Sequence, residues 1–215
     1  MLVIGAKGFA KEVLQDLFLL NDTDALCFYD DISNPSNHKL FDKFPIIHSE
    51  EEAKNYFTSS ENRFTIGIGS PELRKKMADK FQAIGGQLTS VISEMATIGS
   101  FGVTIGKGSN LMAGSIVSND VTIGQGSLIY FNAIITHDVS IGDFVELSPG
   151  ATILGRSNIG NFSQIGSNAT VLPDIEIGSN VIVAAGAVVT QNVPDNCMVA
   201  GIPAVIKKEI TPLTI

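Results

Sequence analysis

The sequence has few cysteines, few histidines and little positive charge. Its 215 residues include two cysteines and three histidines, and 14 basic residues against 22 acidic ones give a net charge of −8. A protein this acidic is a poor general binder of nucleic acid, because phosphates attract basic surfaces. Cys27 and Cys197 lie far apart and without the spacing of a metal site. We interpret them as free thiols in a reducing compartment rather than as a disulfide.

Long apolar stretches are also lacking. The sequence contains no run of 18 apolar residues, and no charged segment precedes an apolar run near its start. A transmembrane helix and a secretory signal each need such a feature. We therefore expect a cytoplasmic protein without a membrane span. Hydrophobic residues make up 44% of the chain, enough for a sizeable core in one or two domains.

What the sequence does contain is a repeat of six residues. Every sixth position from Ile105 to Val189 is Ile, Leu or Val. Glycine follows the aliphatic residue at intervals of 18, so three hexapeptides make one coil, at Gly106, Gly124, Gly142, Gly160 and Gly178. This period predicts a β-helix, in which each hexapeptide forms a short strand and a corner and the aliphatic side chains fill a triangular prism. Its coils are expected to stack by parallel strand pairing about 4.8 Å apart.

The two ends of the repeat are irregular. Ile98 lies seven residues before Ile105, so we expect one inserted residue in the first coil. Pro194 and Pro203 interrupt the period after the last coil, and ordered structure is expected to end near Lys207 and Lys208.

The first 84 residues show a different pattern, in which strands alternate with helices. Apolar periodicity predicts strands at residues 1–4, 25–29 and 64–68, and helices at 11–20, 49–57 and from about 71 to 84. Ser49 is the expected N-cap of the second helix, and a loop is expected at residues 34–37. The alternation predicts a small, Rossmann-like parallel α/β domain at residues 1–84, followed by a β-helix domain at residues 85–215.

Two segments of the α/β region are candidates for ligand binding. A glycine turn at residues 5–10 (GAKGFA) joins the first strand to the first helix, whose free backbone N–H groups suit a phosphate. It lacks the full dinucleotide fingerprint, because Lys7 and Ala10 occupy two of the glycine positions. Asp30 and Asp31 close the second strand, where an acidic residue often meets a ribose. An ordinary tight turn and a solvated turn are the alternatives.

His137 is the only histidine in the repeat and lies near a predicted corner, in line with Gly155 on the next coil. Asp138 follows it directly and could orient the ring. A neutral imidazole is a natural general base near pH 7. A surface histidine is the alternative. The other two histidines, His38 and His48, fall in loops of the α/β region and have no special context.

The whole chain resembles the hexapeptide-repeat sugar acyltransferases, a family that includes sialic acid O-acetyltransferases and bacillosamine-type amino-sugar N-acetyltransferases. The glycine turn, the Asp-Asp pair, the segment at residues 66–74 (IGIGSPELR) and the repeat follow one another in the family's order. Residues 137–144 (HDVSIGDF) match its catalytic His-[DE]-x-x-I-G-[DE]-F segment, and residues 200–204 (AGIPA) match its tail.

The resemblance implies a left-handed β-helix, a homotrimer, and transfer of the acetyl group of acetyl-CoA to the amine of a nucleotide-linked amino sugar. It implies that His137 is the general base and Asp138 its acidic partner, in a cleft between subunits. The nucleotide sugar is expected at Lys7, Gly8, Phe9, Asp30, Asp31, Gly69 and Ser70, with Arg74 in the same segment. Acetyl-CoA is expected at Glu146, Gly155, Ser167 and Ala185, and we expect the backbone N–H of Gly155 to bind the oxyanion.

No metal site is expected, since the hexapeptide-repeat carbonic anhydrases need three histidines and this repeat has one. Two residues differ from the family pattern: Phe9 and Glu146 stand where the family commonly has histidine. One alternative function is O-acetylation of a sialic acid or another free sugar. A serine acetyltransferase is less favoured, because its site uses a second histidine. In a different class, a non-catalytic nucleotide-sugar-binding scaffold is the alternative, and the His137-Asp138 pair argues against it.

Overall fold

The computed structural model describes residues 1–33 and 38–214. The loop predicted at residues 34–37 lies outside these ranges. The chain begins with an α/β unit whose elements are β1 (Leu2–Ile4), α1 (Gly8–Leu19), β2 (Cys27–Tyr29), β3 (Lys39–Leu40), β4 (Phe44–Ile47), α2 (Glu50–Ser59), β5 (Arg63–Ile66), α3 (Pro71–Ala83) and β6 (Gln87–Leu88).

These strands form one sheet in the order β3-β4-β2-β1-β5-β6. All neighbours are parallel except β3 and β4, which form an antiparallel hairpin at the edge. The predicted parallel domain is therefore confirmed, whereas the sequence analysis missed the hairpin. Its strands are short, Pro45 lies within one of them, and its turn uses positive φ angles at Phe41 and Asp42 without a glycine. A proline inside an apolar run argues against a central strand, but β4 pairs with β2 only at Ile46 and Ile47, beyond the proline.

The three predicted helices are present, and only the first has a shifted start. Helix α1 begins at Gly8, three residues before the predicted start, because part of the glycine turn already has helical geometry. Ser49 is the N-cap of α2 as predicted, in a capping box with Glu52. Ser70 is the N-cap of α3: its side chain accepts a hydrogen bond from the backbone of Leu73, and a proline follows at the first helical position, where proline is favoured.

The rest of the chain is a stack of short strands. In chain order they are β7 (Val91–Ile92), β8 (Thr97–Ile98), β9 (Thr104–Ile105), β10 (Asn110–Leu111), β11 (Ile116–Val117), β12 (Thr122–Ile123), β13 (Leu128–Ile129), β14 (Ile134–Ile135), β15 (Ser140–Ile141), β16 (Glu146–Leu147), β17 (Thr152–Ile153), β18 (Asn158–Ile159), β19 (Gln164–Ile165), β20 (Thr170–Val171), β21 (Glu176–Ile177), β22 (Ile182–Val183), β23 (Val188–Val189), β24 (Cys197–Gly201) and β25 (Ala204–Glu209).

The strands form the three faces of a prism. The first face contains β7, β10, β13, β16, β19, β22, β24 and β25, the second face β8, β11, β14, β17, β20 and β23, and the third face β9, β12, β15, β18 and β21. Strands on a face pair in parallel with partners 18 residues apart in the regular coils, as Ile141 pairs with Ile159. The predicted left-handed β-helix and its register are confirmed, since the repeated aliphatic residues from Leu111 to Val189 are buried in one continuous core.

The irregular ends behave differently from each other. The residue inserted between β8 and β9 is accommodated near Phe101 and Gly102, as predicted. The last strand, β25, ends at Glu209, next to the predicted end at Lys207 and Lys208, and its antiparallel pairing with β24 was not predicted. The hairpin closes the last coil, and its backbone pairing supports residues whose side chains are exposed.

The α/β unit packs on the first face. The amide of Asn110 donates to the carbonyl of Ile66 at 3.1 Å, and its side-chain oxygen accepts from the hydroxyl of Thr65 at 3.0 Å. Strand β6 follows the predicted boundary at residue 84 and still pairs with β5. We propose that the boundary between the two domains lies between β6 and β7.

The hexapeptide register predicts a large difference between two neighbouring positions. Ile159→Ala should lower the free energy of unfolding by about 2–5 kcal/mol, because it removes buried apolar surface and leaves a cavity in the prism. Asn161→Ala should cost only about 1 kcal/mol, since Asn161 is exposed and its side chain accepts one hydrogen bond, from the backbone of Asp143. Urea unfolding of both variants measures the difference, and equal losses would contradict the register.

Candidate active site

A cavity of about 340 Å³ opens at the carboxyl ends of β1, β2 and β5. The glycine turn, the Asp30-Asp31 pair and residues 67–69 border it, together with Leu73 and Met77 of α3. Gly5 makes the close approach of two of these segments possible. Its φ of 110° suits glycine, and a side-chain carbon there would lie 2.8 Å from the carbonyl oxygen of Gly67. The carboxyl edge of an open parallel sheet is where ligands of α/β proteins bind.

Helix α1 points its N-terminus at this cavity. Its N-cap, Lys7, makes no capping hydrogen bond with its side chain, so the first N–H groups of the helix have no side-chain acceptor there. Gly8 has nothing within 4 Å of the place where a side-chain carbon would stand. Open space, free N–H groups and the charge of Lys7 together suit a phosphate group.

The two aspartates that follow β2 have different surroundings. The carboxylate of Asp30 is mostly buried and accepts hydrogen bonds from the backbone of Ile32 and Ser33, both at 3.0 Å, and from the Ser33 hydroxyl at 2.6 Å. Burial acts to raise the pKa of Asp30, but these hydrogen bonds lower it overall. Asp31 is exposed and accepts from the Tyr29 hydroxyl at 2.9 Å. Asp30 therefore shapes the loop, and Asp31 is the carboxylate that a ligand can reach.

Arg74 connects this cavity to the β-helix. Its guanidinium is buried and donates to the carbonyl oxygens of Gly126, Phe144 and Val145 at 2.8–2.9 Å, and also to that of Gly69. Burial lowers its pKa to about 10, so the group stays charged at neutral pH. The sequence analysis placed Arg74 in the substrate segment. The structure instead gives it the position of a buried support behind Gly69.

Glu146 lies on the first face, in β16, beside that support. One carboxylate oxygen accepts a hydrogen bond from the Ser148 hydroxyl at 3.1 Å, and the other lies 4.0 Å from Arg74 Nη1. Burial raises the pKa of Glu146, and the charge of Arg74 opposes that effect. The second oxygen is also 4.0 Å from the place where a side-chain carbon on Gly69 would stand. Glu146 therefore lies next to Gly69 at that end of the cavity, although it does not line the cavity itself.

His137 lies on the opposite edge of the prism. We call this edge the second–third corner; it contains residues 137–138, 155–156 and 173–174 between the second and third faces. The imidazole Nδ1 is 2.7 Å from a carboxylate oxygen of Asp138, and the ring lies on Gly155 of the next coil. A side-chain carbon at position 155 would stand 2.6 Å from the ring carbon Cε1, so only glycine lets the ring lie there. An ionised Asp138 holds the proton on Nδ1 and leaves Nε2 as the basic nitrogen.

Ser167 and Ala185 lie on the remaining edge that borders the second face. We call it the first–second corner, and it contains residues 131–132, 149–150, 167–168 and 185–186. The carbonyl of Ser167 accepts from the backbone of Gly186 at 2.8 Å, which stacks the two coils. The predicted site residues therefore fall in three places: the cavity with Glu146, the first–second corner, and the second–third corner. Within one chain, His137 is on the edge of the prism farthest from the first face, where the cavity lies.

Tyr130 and Glu12 form a contact beside Phe9, a residue that lines the cavity, and neither was predicted from the sequence. Tyr130, at the first–second corner, packs its ring 5.4 Å from that of Phe9 and donates a hydrogen bond to Glu12 of α1. Burial and the neighbouring Glu12 raise the pKa of Tyr130, so the phenol stays protonated. No short-range signal marks this pair, because its members are 118 residues apart in the chain.

Within residues 1–33 and 38–214, no group of three or more His, Cys, Asp or Glu side chains is placed to hold a metal ion. Both cysteines are buried and unpaired. The same part of the chain has no helix with the length and apolar character needed to cross a bilayer.

Comparisons with known proteins match both parts of this architecture. The PglD N-terminal domain model matches residues 1–81, and the bacterial transferase hexapeptide model matches residues 120–155 and 156–191. The acetyltransferase domain of PglB from Neisseria gonorrhoeae FA1090 is 30% identical to this chain, with a TM-score of 0.88 over 95% of this chain and 98% of that domain. The chain belongs to the hexapeptide-repeat sugar acyltransferases.

Two further solved structures are similar to this acyltransferase. PerB from Caulobacter crescentus, in complex with CoA and GDP-perosamine, is 28% identical, with a TM-score of 0.88 over 96% of each chain. WeeI from Acinetobacter baumannii AYE is 28% identical, with a TM-score of 0.86 over 95% of this chain and 98% of that one. A search of curated proteins found no match. The predicted enzyme class, an acetyl-CoA-dependent sugar acetyltransferase, is confirmed.

Proposed function

We propose that this acetyltransferase transfers the acetyl group of acetyl-CoA to the amine of a nucleotide-linked amino sugar. The observation that carries the proposal is the cavity at the carboxyl edge of the α/β sheet, with an open helix N-terminus on one side and an exposed aspartate on the other. Among the similar structures, one is named a perosamine N-acetyltransferase and was determined in complex with CoA and GDP-perosamine.

The two ends of the cavity suit the two ends of such a substrate. Phosphates would bind at the N–H groups of Gly8 and Phe9 and at the charge of Lys7. Asp31 would accept hydrogen bonds from the base or the ribose. The sugar would then extend along Phe9 toward Gly69 and Ser70, where α3 begins.

His137 would act as the general base. Its Nε2 takes a proton from the acceptor amine as the nitrogen attacks the thioester carbon. The new C–N bond forms, the C–S bond breaks, and CoA leaves as a thiol. Asp138 keeps the ring in the orientation and tautomer that this step needs.

The backbone of the β-helix would hold the other substrate. The N–H of Gly155 lies one coil beyond His137, and a backbone donor at that place would stabilise the oxyanion of the tetrahedral intermediate. Ser167 and Ala185 would contact the acetyl-CoA chain along the first–second corner. Because the coil fixes the backbone N–H of Gly155 in place, this donor needs no rearrangement during the reaction.

A complete site would need two copies of the chain. The outward residues of the third face are polar or charged, whereas the second face exposes Ile116, Ile134 and Val188. Ile116 is 41% exposed and pairs with Ile134, so the two form an apolar patch on this face. If three second faces surround a threefold axis, each second–third corner meets the first–second corner of a neighbour. His137 would then stand beside the cavity of the next copy.

Release of free CoA measures the proposed reaction directly. The protein should release CoA from acetyl-CoA with at least one member of a panel of UDP-, GDP- and dTDP-linked amino sugars, GDP-perosamine included. Free sialic acid and hydroxyl-bearing nucleotide sugars should give no release above background. Turnover with a free sugar only would exclude this proposal and support O-acetylation.

Asp31→Ala should weaken nucleotide binding at least about tenfold, because it removes a charged hydrogen-bond acceptor from the cavity. Calorimetric titration with UDP, GDP and dTDP, in the absence of CoA, measures the effect. The affinity for acetyl-CoA should not change, and Asp138→Ala, which removes a carboxylate beside the base rather than at the nucleotide end of the cavity, should bind the nucleotide like the unmodified protein. Failure of all three nucleotides to bind at millimolar concentration would contradict the assignment of the cavity.

A further inference from the structure

Glu146 is a carboxylate without a complete set of partners in a place where charge is costly. Its side chain is 17% exposed. Ser148 donates to one oxygen, and the nearest cation, Arg74, is 4.0 Å from the other, beyond hydrogen-bond distance. Among the residues that the structure describes, no donor reaches this second oxygen. A largely buried carboxylate with one oxygen that lacks a donor is stabilised by a cationic ligand.

Arg74 is not available to become that partner. Its guanidinium is committed to four backbone carbonyls of the α/β unit and the β-helix, and a turn toward Glu146 would leave buried carbonyls without a donor. The charge of Arg74 therefore stabilises the ionised form of Glu146 from a distance without neutralising it in a direct pair.

The open oxygen lies at the sugar end of the cavity. Gly69 separates it from the space bordered by the glycine turn and Leu73, and Gly69 has no side chain to block the way. A ligand whose phosphates sit at the start of α1 would direct its sugar to this end. The cationic group that the proposed reaction brings there is the protonated amine of the acceptor.

We propose that Glu146 binds the ammonium group of the acceptor sugar and thereby selects amines over hydroxyls. This inference rests on the proposed function. It revises the role that the family resemblance gives to position 146, a contact with acetyl-CoA. A carboxylate beside the thioester would repel the oxygen that becomes negative in the transition state, whereas it attracts an ammonium group. The ammonium group loses one proton to solvent before the reaction, and His137 of the neighbouring copy takes the second proton as the C–N bond forms and passes it to the leaving thiolate.

Steady-state kinetics of Glu146→Gln test the proposal, with the amino-sugar nucleotide that the panel assay identifies as the acceptor. Glutamine keeps the size of the side chain and can still accept from Ser148, but it has no charge. The KM for the amine should rise at least about tenfold, as expected for the loss of a hydrogen bond between two charged groups. The KM for acetyl-CoA should not change, and the affinity for the matching hydroxyl sugar, measured by calorimetry, should not fall.

Glu12→Gln is the matched control. It removes the charge of another carboxylate, one that does not line the cavity and that already accepts a hydrogen bond from the Tyr130 hydroxyl, and it should change the KM for the amine less than threefold. Thermal melting of both variants reports on folding. An unchanged KM for the amine in Glu146→Gln, or a rise in the KM for acetyl-CoA instead, would overturn the proposal. Absence of CoA release by the unmodified protein would instead contradict the proposed function.

Discussion

His137→Gln should lower kcat by at least about 100-fold, the usual cost of losing a positioned general base. The side chain is more than half exposed and lies on Gly155 without a buried contact of its own, so the variant should fold and bind acetyl-CoA normally. Glutamine keeps a polar side chain at the corner but cannot take the proton. Single-turnover measurements of CoA release give the rate of the chemical step, and an unchanged rate would remove His137 from the mechanism.

Mixed assemblies add a test of where the base acts. Gly8→Glu places a bulky negative charge at the phosphate end of the cavity, in space that is open in the structure. It should abolish acceptor binding. Suppose that each site combines His137 of one copy with the cavity of the next. Co-expression of His137→Gln and Gly8→Glu in equal amounts should then restore about one quarter of full activity, because random assembly pairs an intact base with an intact cavity at about one site in four. No recovery in mixed assemblies of normal size would place the whole site within one chain.

Arg74→Met should lower the free energy of unfolding by about 3 kcal/mol or more, because buried carbonyls lose a charged donor. The carbonyls belong to Gly69, Gly126, Phe144 and Val145, so both the sheet edge and the β-helix are affected. The same change should raise the KM for the acceptor, since the backbone at Gly69 borders the cavity. Urea unfolding and steady-state kinetics measure the two effects.

Arg156→Met is the control for the stability effect. Arg156 is also paired with a carboxylate, Asp174, but both side chains are exposed at the second–third corner. Because solvent screens such pairs, this variant should have nearly the same free energy of unfolding as the unmodified protein. A loss of stability as large as that of Arg74→Met would show that the buried hydrogen bonds of Arg74 do not have the importance assigned to them.

The β-helix could be predicted from the sequence because its information is local and repeated. Each aliphatic residue from Leu111 to Val189 meets its equivalents one coil away, so a period of six fixes both the core and the strand register. The same period aligns His137 with Gly155, and the structure brings the ring onto that glycine. The β3–β4 hairpin was not predicted because its strands are short and one of them contains Pro45. Its conformation depends instead on the pairing of β4 with β2, which the local sequence does not indicate.

The sequence by itself determined the prism, its register, the glycine turn at the sheet edge and the His137-Asp138 pair. Only the tertiary structure decided that Arg74 supports Gly69 from behind, that Glu146 lies next to Gly69 while His137 lies on the far edge of the prism, and that Tyr130 meets Glu12. The physical reason is the range of the interactions. In the repeat, contacting residues recur at a fixed interval of 18 residues, so the sequence reveals them. The packing of the α/β unit on the first face instead joins residues such as Arg74 and Val145, whose separation in the chain follows no repeat.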